Sequence, residues 1–189
     1  MDVLDYQKTN ALRGGPSFSI KNRLTRVLWQ FTWLLLASWT PPLFHPWRRL
    51  LLRLFGAQLG EKSDVRGSAR VWLPSNLVMG NYSIIAEYVK VYNQERIELG
   101  DNVIVSQSAH LCASGHDVDD NNFQLTGAPI HIGSSAWVAT EAFLGPGCVV
   151  GNGAVIGARA VLVGHADEMM IYVGNPAKPL RKRKSDAAD

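Results

Sequence analysis

The segment GHDVDDNNF gathers the chain's densest set of proton-handling side chains: His116, followed closely by Asp117, Asp119 and Asp120. An imidazole titrates near neutrality and can take the proton of an attacking hydroxyl. A neighbouring carboxylate would hold its tautomer and stabilise its charged form, as in a catalytic triad. Asp117 is the first candidate. Adjacent side chains rarely face each other, so Asp119 and Asp120 stay open for the role, and a turn Asp can instead cap its own backbone. Asn93, in VYNQE, is a second polar candidate. The two cysteines, Cys112 and Cys148, cannot build a disulfide framework and point to a reducing compartment. Neither sits where a thiol would be activated as a nucleophile.

With 189 residues, 47% hydrophobic and 19% charged, the chain suits one domain with a real core, and global disorder is excluded. A net charge of +3 is too weak by itself to argue for nucleic acid. The first fifteen residues are polar and lack the apolar run of a secretory signal. The longest apolar stretch, 27–39, is broken by Gln30, Thr32 and Ser38 and falls short of the ~20 residues of a spanning helix. A cytoplasmic protein is expected.

What positions these residues is an internal repeat. From Ile132 every sixth residue is a branched aliphatic: Val138, Leu144, Val150, Ile156, Leu162. The same phase defines coils at 59–76, 79–96, 99–116, 132–149 and 150–167, whose fifteen first, seventh and thirteenth positions are all aliphatic, Met79 included. A small residue such as Ala136, Ala142, Cys148 or Ala154 follows four places on, and Gly follows the first position of every coil. A period of six fits neither a 3.6-residue helix nor a meander strand. It predicts an all-β solenoid, a parallel β-helix of about five triangular coils, each hexapeptide making one side. Gly suits its corners by tolerating positive φ and close backbone approach.

Leu77-Val78 and Ile97-Glu98 read as two-residue insertions at one corner, and 117–131 as a longer loop of the kind that carries function. Residues 1–58 form an N-terminal extension with amphipathic helices at 21–38 and 46–55 around TPPLFHP. They suit a cap over the first coil's open edge. Their Trp29, Trp33, Trp39 and Trp47, with Lys or Arg at 21, 23, 26, 48, 49 and 53, also suit a peripheral membrane contact through 21–55. Residues 59–167 are the solenoid, and 168–189 a segment that folds back before a basic tail.

The hexapeptide rows, LCASGHDVDDNNF (111–123), the run 128–161 and the ending VGNPAKP (173–179) resemble the hexapeptide-repeat acetyltransferases, nearest the colanic-acid-type exopolysaccharide branch. The maltose, galactoside and nodulation-factor O-acetyltransferases resemble it more distantly. The resemblance covers 50–184 well. It implies a left-handed helix, acetyl-CoA as acyl donor, a sugar or glycan hydroxyl as acceptor and a homotrimer with sites between subunits. By the same resemblance His116 is the general base and Asn93 holds the acceptor. The offset of Asn93 from His116, about three residues or 10 Å, suits the His of a neighbouring subunit. Trp137 would stand near the reacting centre, Ala139, Thr140 and Ala158 along the pantetheine, and Lys178, Arg181 and Arg183 at the cofactor phosphates.

The chain departs from the family after its last hexapeptide. Val163-Gly164-His165-Ala166-Asp167-Glu168-Met169 stands where relatives carry Thr-Lys-Asp and two prolines. A γ-class carbonic-anhydrase-like metal lyase shares the fold, but needs three convergent histidines. His110 and His116 lie six residues apart on sides turned about 120°, and His131 lies beyond the loop, so no metal site is expected. A non-catalytic scaffold would keep the repeats without needing His116.

Overall fold

The structure is a computed structural model and describes residues 3–184. Positions 1–2 of the N-terminal extension and 185–189 of the basic tail lie outside the described residues. Short parallel strands stack in three sheets, the sides of a prism. The first side runs from Gln58–Leu59 to His165–Ala166, the second from Asp64–Val65 to Met170–Val173, and the third from Arg70–Val71 to Val161–Leu162. The aliphatic rows point inward as their period requires: Ile85, Val105, Val138 and Ile156 stack on the second side, each with no exposed surface. Ala109, Ala142 and Ala160 fill the narrow space beside them.

Register shows how each coil closes. Leu59 pairs with Met79 and Met79 with Leu99, so both two-residue insertions are absorbed at one corner. Leu99 pairs with Ile132 across the excursion, and Ile132 with Val150 at the regular eighteen-residue step. Val150 then pairs with Ala166 and Ile156 with Tyr172, a step two residues shorter. The repeat therefore does not stop at 167. A partial sixth coil follows, and Lys178–Lys182 folds back antiparallel on Met170–Val173 to close that end. The hydroxyl of Tyr172 donates to the Asp167 carboxylate at 2.8 Å and accepts the Asp167 N–H at 3.2 Å, which pins this last turn.

The repeated glycines and the left-handed backbone positions are different residues. Positive φ at the first corner falls on Lys62, Tyr82, Asn102, Ser135, Gly153 and Met169, only one of them a glycine and none a coil-opening one, and at the second on Tyr88, Ser108, Glu141 and Arg159. The glycine that opens each coil serves close approach instead. A Cβ at Gly80 would stand 2.6 Å from the backbone of Gly100, and one at Gly133 2.7 Å from the nitrogen of Asn152. Of the two roles that suit glycine here, the coil-opening positions require only the second.

Three helices precede the prism: α1 (Tyr6–Thr9), α2 (Ile20–Leu36) and α3 (His45–Leu54). Ser19 caps α2 by accepting the Asn22 N–H, and Pro46 occupies the first turn of α3, where a missing N–H is harmless. Trp29 and Trp33 cap the first coil. Their indole N–H groups donate to Val71 and Gly67 carbonyls at 2.7 and 2.9 Å. Arg48, grouped with the membrane-facing cations on sequence, is instead fully buried. It donates to the carbonyls of Val65, Pro41 and Pro42, to Thr40, and to Asp64 at 3.0 Å. One guanidinium thus ties the TPP turn to the second side of the prism.

Candidate active site

The chain leaves the prism at Ser114, three residues earlier than the excursion drawn from the sequence, and rejoins it at Ile130. Ser114–His116 pairs antiparallel with Leu125–Gly127, placing His116 opposite Leu125 at the end of a hairpin. Its tip is held by its own polar groups. Asp117 Oδ1 accepts the Asp119 N–H at 3.0 Å and Asp120 Oδ1 the Asn122 N–H at 2.6 Å, both Asx turns. Phe123, left-handed at φ 49°, donates its N–H to the Asp120 carbonyl. This turn brings the Phe123 carbonyl 2.7 Å from His116 Nδ1.

A carbonyl only accepts, so Nδ1 carries the proton and the Nε2 lone pair stays free on an exposed ring. The tautomer-setting role expected of Asp117, or of Asp119 or Asp120, belongs to the Phe123 carbonyl. None of those carboxylates bonds the imidazole among the described residues.

The N-terminus meets this hairpin, which sequence reasoning missed. The Tyr6 N–H donates to Gln124 Oε1 at 2.8 Å, and Gln124 Nε2 to the Leu4 carbonyl at 3.2 Å. Tyr6, Phe18 and Leu125 form a small buried cluster apart from the main core. The Tyr6 ring lies 6.4 Å from the His116 ring. Val3, Leu4 and Asp5 make one wall of an open groove whose other residues include Glu95, Thr126 and Gly127. The available signal was four apolar residues, Val3, Leu4, Tyr6 and Phe18, in a stretch that reads as polar overall.

Asn93 does not reach this groove. It is fully buried, its Oδ1 accepting the Leu73 N–H at 3.1 Å and its Nδ2 donating to the Leu73 carbonyl at 2.6 Å. Both ends of the amide clamp one coil to the coil below, which corrects its expected role in holding the acceptor.

The residues expected on the donor side share the second side of the prism and its corner. Trp137 is 46% exposed and its indole N–H donates to Ser106 Oγ at 2.9 Å, fixing an outward ring. The Ala139 N–H is spent on the Ile156 carbonyl. The N–H groups of Thr140 and Ala158 make no hydrogen bond among the described residues. Lys178 and Arg181 lie exposed on the closing strand. Arg183 is partly occupied, its guanidinium donating to the carbonyls of Ser135 and Gly153 at 3.1 and 3.0 Å.

A scan against protein-family models finds no match. Among individual proteins, the chain is 31% identical over 182 residues, 96% of its length and 97% of the other's, to an Escherichia coli (strain K12) protein named "Putative colanic acid biosynthesis acetyltransferase WcaF". It is 24% identical over 138 residues to the galactoside O-acetyltransferase of the same organism, covering 71% and 68% of the two chains. The chain belongs to the hexapeptide-repeat acetyltransferase family. Its fold agrees with a maltose O-acetyltransferase structure from Clostridium difficile 630, at TM-score 0.80 and 23% identity over 88% and 90% of the chains. It agrees equally with a hexapeptide-repeat acetyltransferase of Vibrio cholerae in complex with acetyl-CoA, at TM-score 0.80 and 20% identity over 96% and 100%. At these identities the structural likeness establishes the fold.

Family membership makes the protein an acyltransferase. His110 packs edge-on against Phe143 at 5.3 Å, and burial, with Lys90 nearby, holds its imidazole below the ordinary value. His131 Nδ1 lies 2.9 Å from Glu98, and His165 3.4 Å from Asp167. No group of three or more His, Cys, Asp or Glu arranged to hold a metal occurs among the described residues. Burial raises the Cys148 thiol above its usual range, the opposite of activation.

Proposed function

We propose that the protein transfers acetyl from acetyl-CoA to a hydroxyl of a sugar or exopolysaccharide precursor, with His116 as general base. The observation that carries this reading is the tautomer of His116: Nδ1 anchored on the Phe123 carbonyl and Nε2 unpaired on an exposed ring, in a hairpin whose opposite strand lines an open groove. In the step proposed, Nε2 takes the hydroxyl proton as the oxygen attacks the thioester carbonyl. The tetrahedral oxyanion collapses, the C–S bond breaks, and the imidazolium returns the proton to the departing thiolate. A thiolate leaves without help from a strong acid, so no acyl-enzyme is required.

The acceptor and donor classes are supported by relatives named for galactoside and maltose acetylation and by neighbouring structures containing acetyl-CoA or CoA. This chain's own residues suit the donor. The open N–H groups of Thr140 and Ala158 suit the pantetheine amides, Trp137 an apolar wall, and Lys178 and Arg181 the phosphates. Arg183, already committed to two carbonyls, has less to offer. A flat-sided prism presents no deep pocket alone, so three copies around a threefold axis would complete three sites, the reading we adopt. Use of acetyl-CoA favours the cytoplasmic side of the cell.

The test is acetyl-CoA consumption against nucleotide sugars, oligosaccharides and lipid-linked glycans, with His116→Ala as control. Turnover with a glycan that falls roughly 10²–10⁴-fold in the variant is expected. Equal turnover in both proteins would remove His116 from the mechanism.

A further inference from the structure

We propose that the outward faces of α2 and α3 dock the protein flat on an anionic lipid bilayer. The inference stands on the helices alone and does not depend on the role of His116. The helix α2 has two apolar faces. One, through Trp29 and Trp33, is buried on the first coil. The other carries Leu24, Val27, Phe31 and Leu35, spaced as one helical stripe and each about half exposed or more. Nothing among the described residues covers it. The stripe continues past the end of α2 through Trp39 and Leu43, 72% and 83% exposed, to Trp47 and Leu50 of α3. The indole N–H groups of Trp39 and Trp47 donate to the Leu35 and Leu36 carbonyls at 2.8 Å. Both rings are thereby held at the junction of the two helices with their polar atoms already satisfied, ready for an apolar medium. Monomeric proteins rarely expose so large a contiguous apolar surface without a partner.

Charge selects the partner. No Asp or Glu occurs between Asp5 and Glu61, whereas the rest of the chain carries carboxylates throughout. At 100° per residue Lys21 and Arg23 fall on the two edges of the α2 stripe, and both are exposed. Arg53 is exposed on α3, its guanidinium donating once to the Leu59 carbonyl, and Arg49 is half-buried. An apolar stripe with aromatic residues and a wholly cationic border matches lipid tails beneath anionic headgroups, with long basic side chains reaching up to the phosphates. A second copy meeting this face through a twofold axis would set cation against cation. No helix among the described residues is long and apolar enough to cross a membrane, so the helices would lie in its surface.

Two exposed-site variants test this on the full chain: Leu24→Glu with Phe31→Glu, and Lys21→Glu with Arg23→Glu. Each is sedimented with vesicles of phosphatidylcholine alone and with a phosphatidylglycerol admixture, and its thermal unfolding is compared with the parent's. The parent is expected to partition onto the mixed vesicles at least tenfold more strongly than onto neutral ones, and less so at high salt. Both variants should lose at least tenfold on mixed vesicles, the second retaining its melting point. Absence of parent binding, or binding indifferent to headgroup charge and to the second variant, would overturn the proposal. So would vesicle-independent self-association of the parent that Leu24→Glu/Phe31→Glu abolishes, because the occupant would then be another copy.

Discussion

His110 and His116 stand six residues apart on successive segments, yet they answer to different parts of the chain. Inside the coils a side chain meets its counterpart one turn above or below, as His110 meets Phe143. In the hairpin 114–127 the partners lie at the far N-terminus, where Leu4 and Tyr6 clasp Gln124 across more than a hundred residues. Repetition makes the coils rigid, and it forces every corner into the same backbone. Where the chain leaves that repetition, the outward imidazole of His116 is fixed instead by a non-periodic contact, the Phe123 carbonyl.

The sharpest test of this contrast separates chemistry from stability. His116→Ala should lower kcat/KM roughly 10²–10⁴-fold while leaving the melting temperature unchanged, because the exposed ring buries little. Gly80→Val should do the reverse. Its side chain would strike Asp101 Oδ1 and the Gly100 backbone, lowering the unfolding free energy by about 1–3 kcal/mol in urea titration. A variant of either kind that moved both quantities would erase the division between the two regions.

Gln124→Ala should have an intermediate effect. It removes both hydrogen bonds to the N-terminal segment, costing about 1–2 kcal/mol and exposing residues 3–18 to limited proteolysis. Acceptor KM should rise while KM for the donor stays put. The smallest effect concerns His110. Its imidazole is held below the ordinary value of 6.5, so on acidification the unfolded chain binds a proton before the folded one. Stability is therefore lost as pH falls through that value. Thermal unfolding followed on either side of it should show the loss, and His110→Phe should remove this part of the slope.

The periodicity was legible because burial in a triangular prism admits only an inward aliphatic every sixth residue. Fifteen such positions place the sheets and the insertions, and put the loop's departure within three residues of Ser114, where the chain leaves the prism. The shortened sixth coil was not legible, since Ala166 occupies the first-side position where an aliphatic was the guide. Asn93 and Arg48 misled for a related reason. A polar side chain in a corner or on an amphipathic helix looks available until the fold shows which carbonyls surround it. Asn93 is consumed by Leu73, and Arg48 by the TPP turn and Asp64. The tryptophans divided between two readings: Trp29 and Trp33 cap the solenoid, while Trp39 and Trp47 face outward.

By itself the sequence determined the prism, its strand register over most coils and His116 as the residue at its principal interruption. These follow from local spacing, which a linear reading contains. Only the tertiary structure decided which atom sets the imidazole's tautomer, that the N-terminus walls the groove, and which face of α2 is left bare. Those outcomes depend on backbone carbonyls and on segments far apart along the chain, whose meeting no spacing rule encodes.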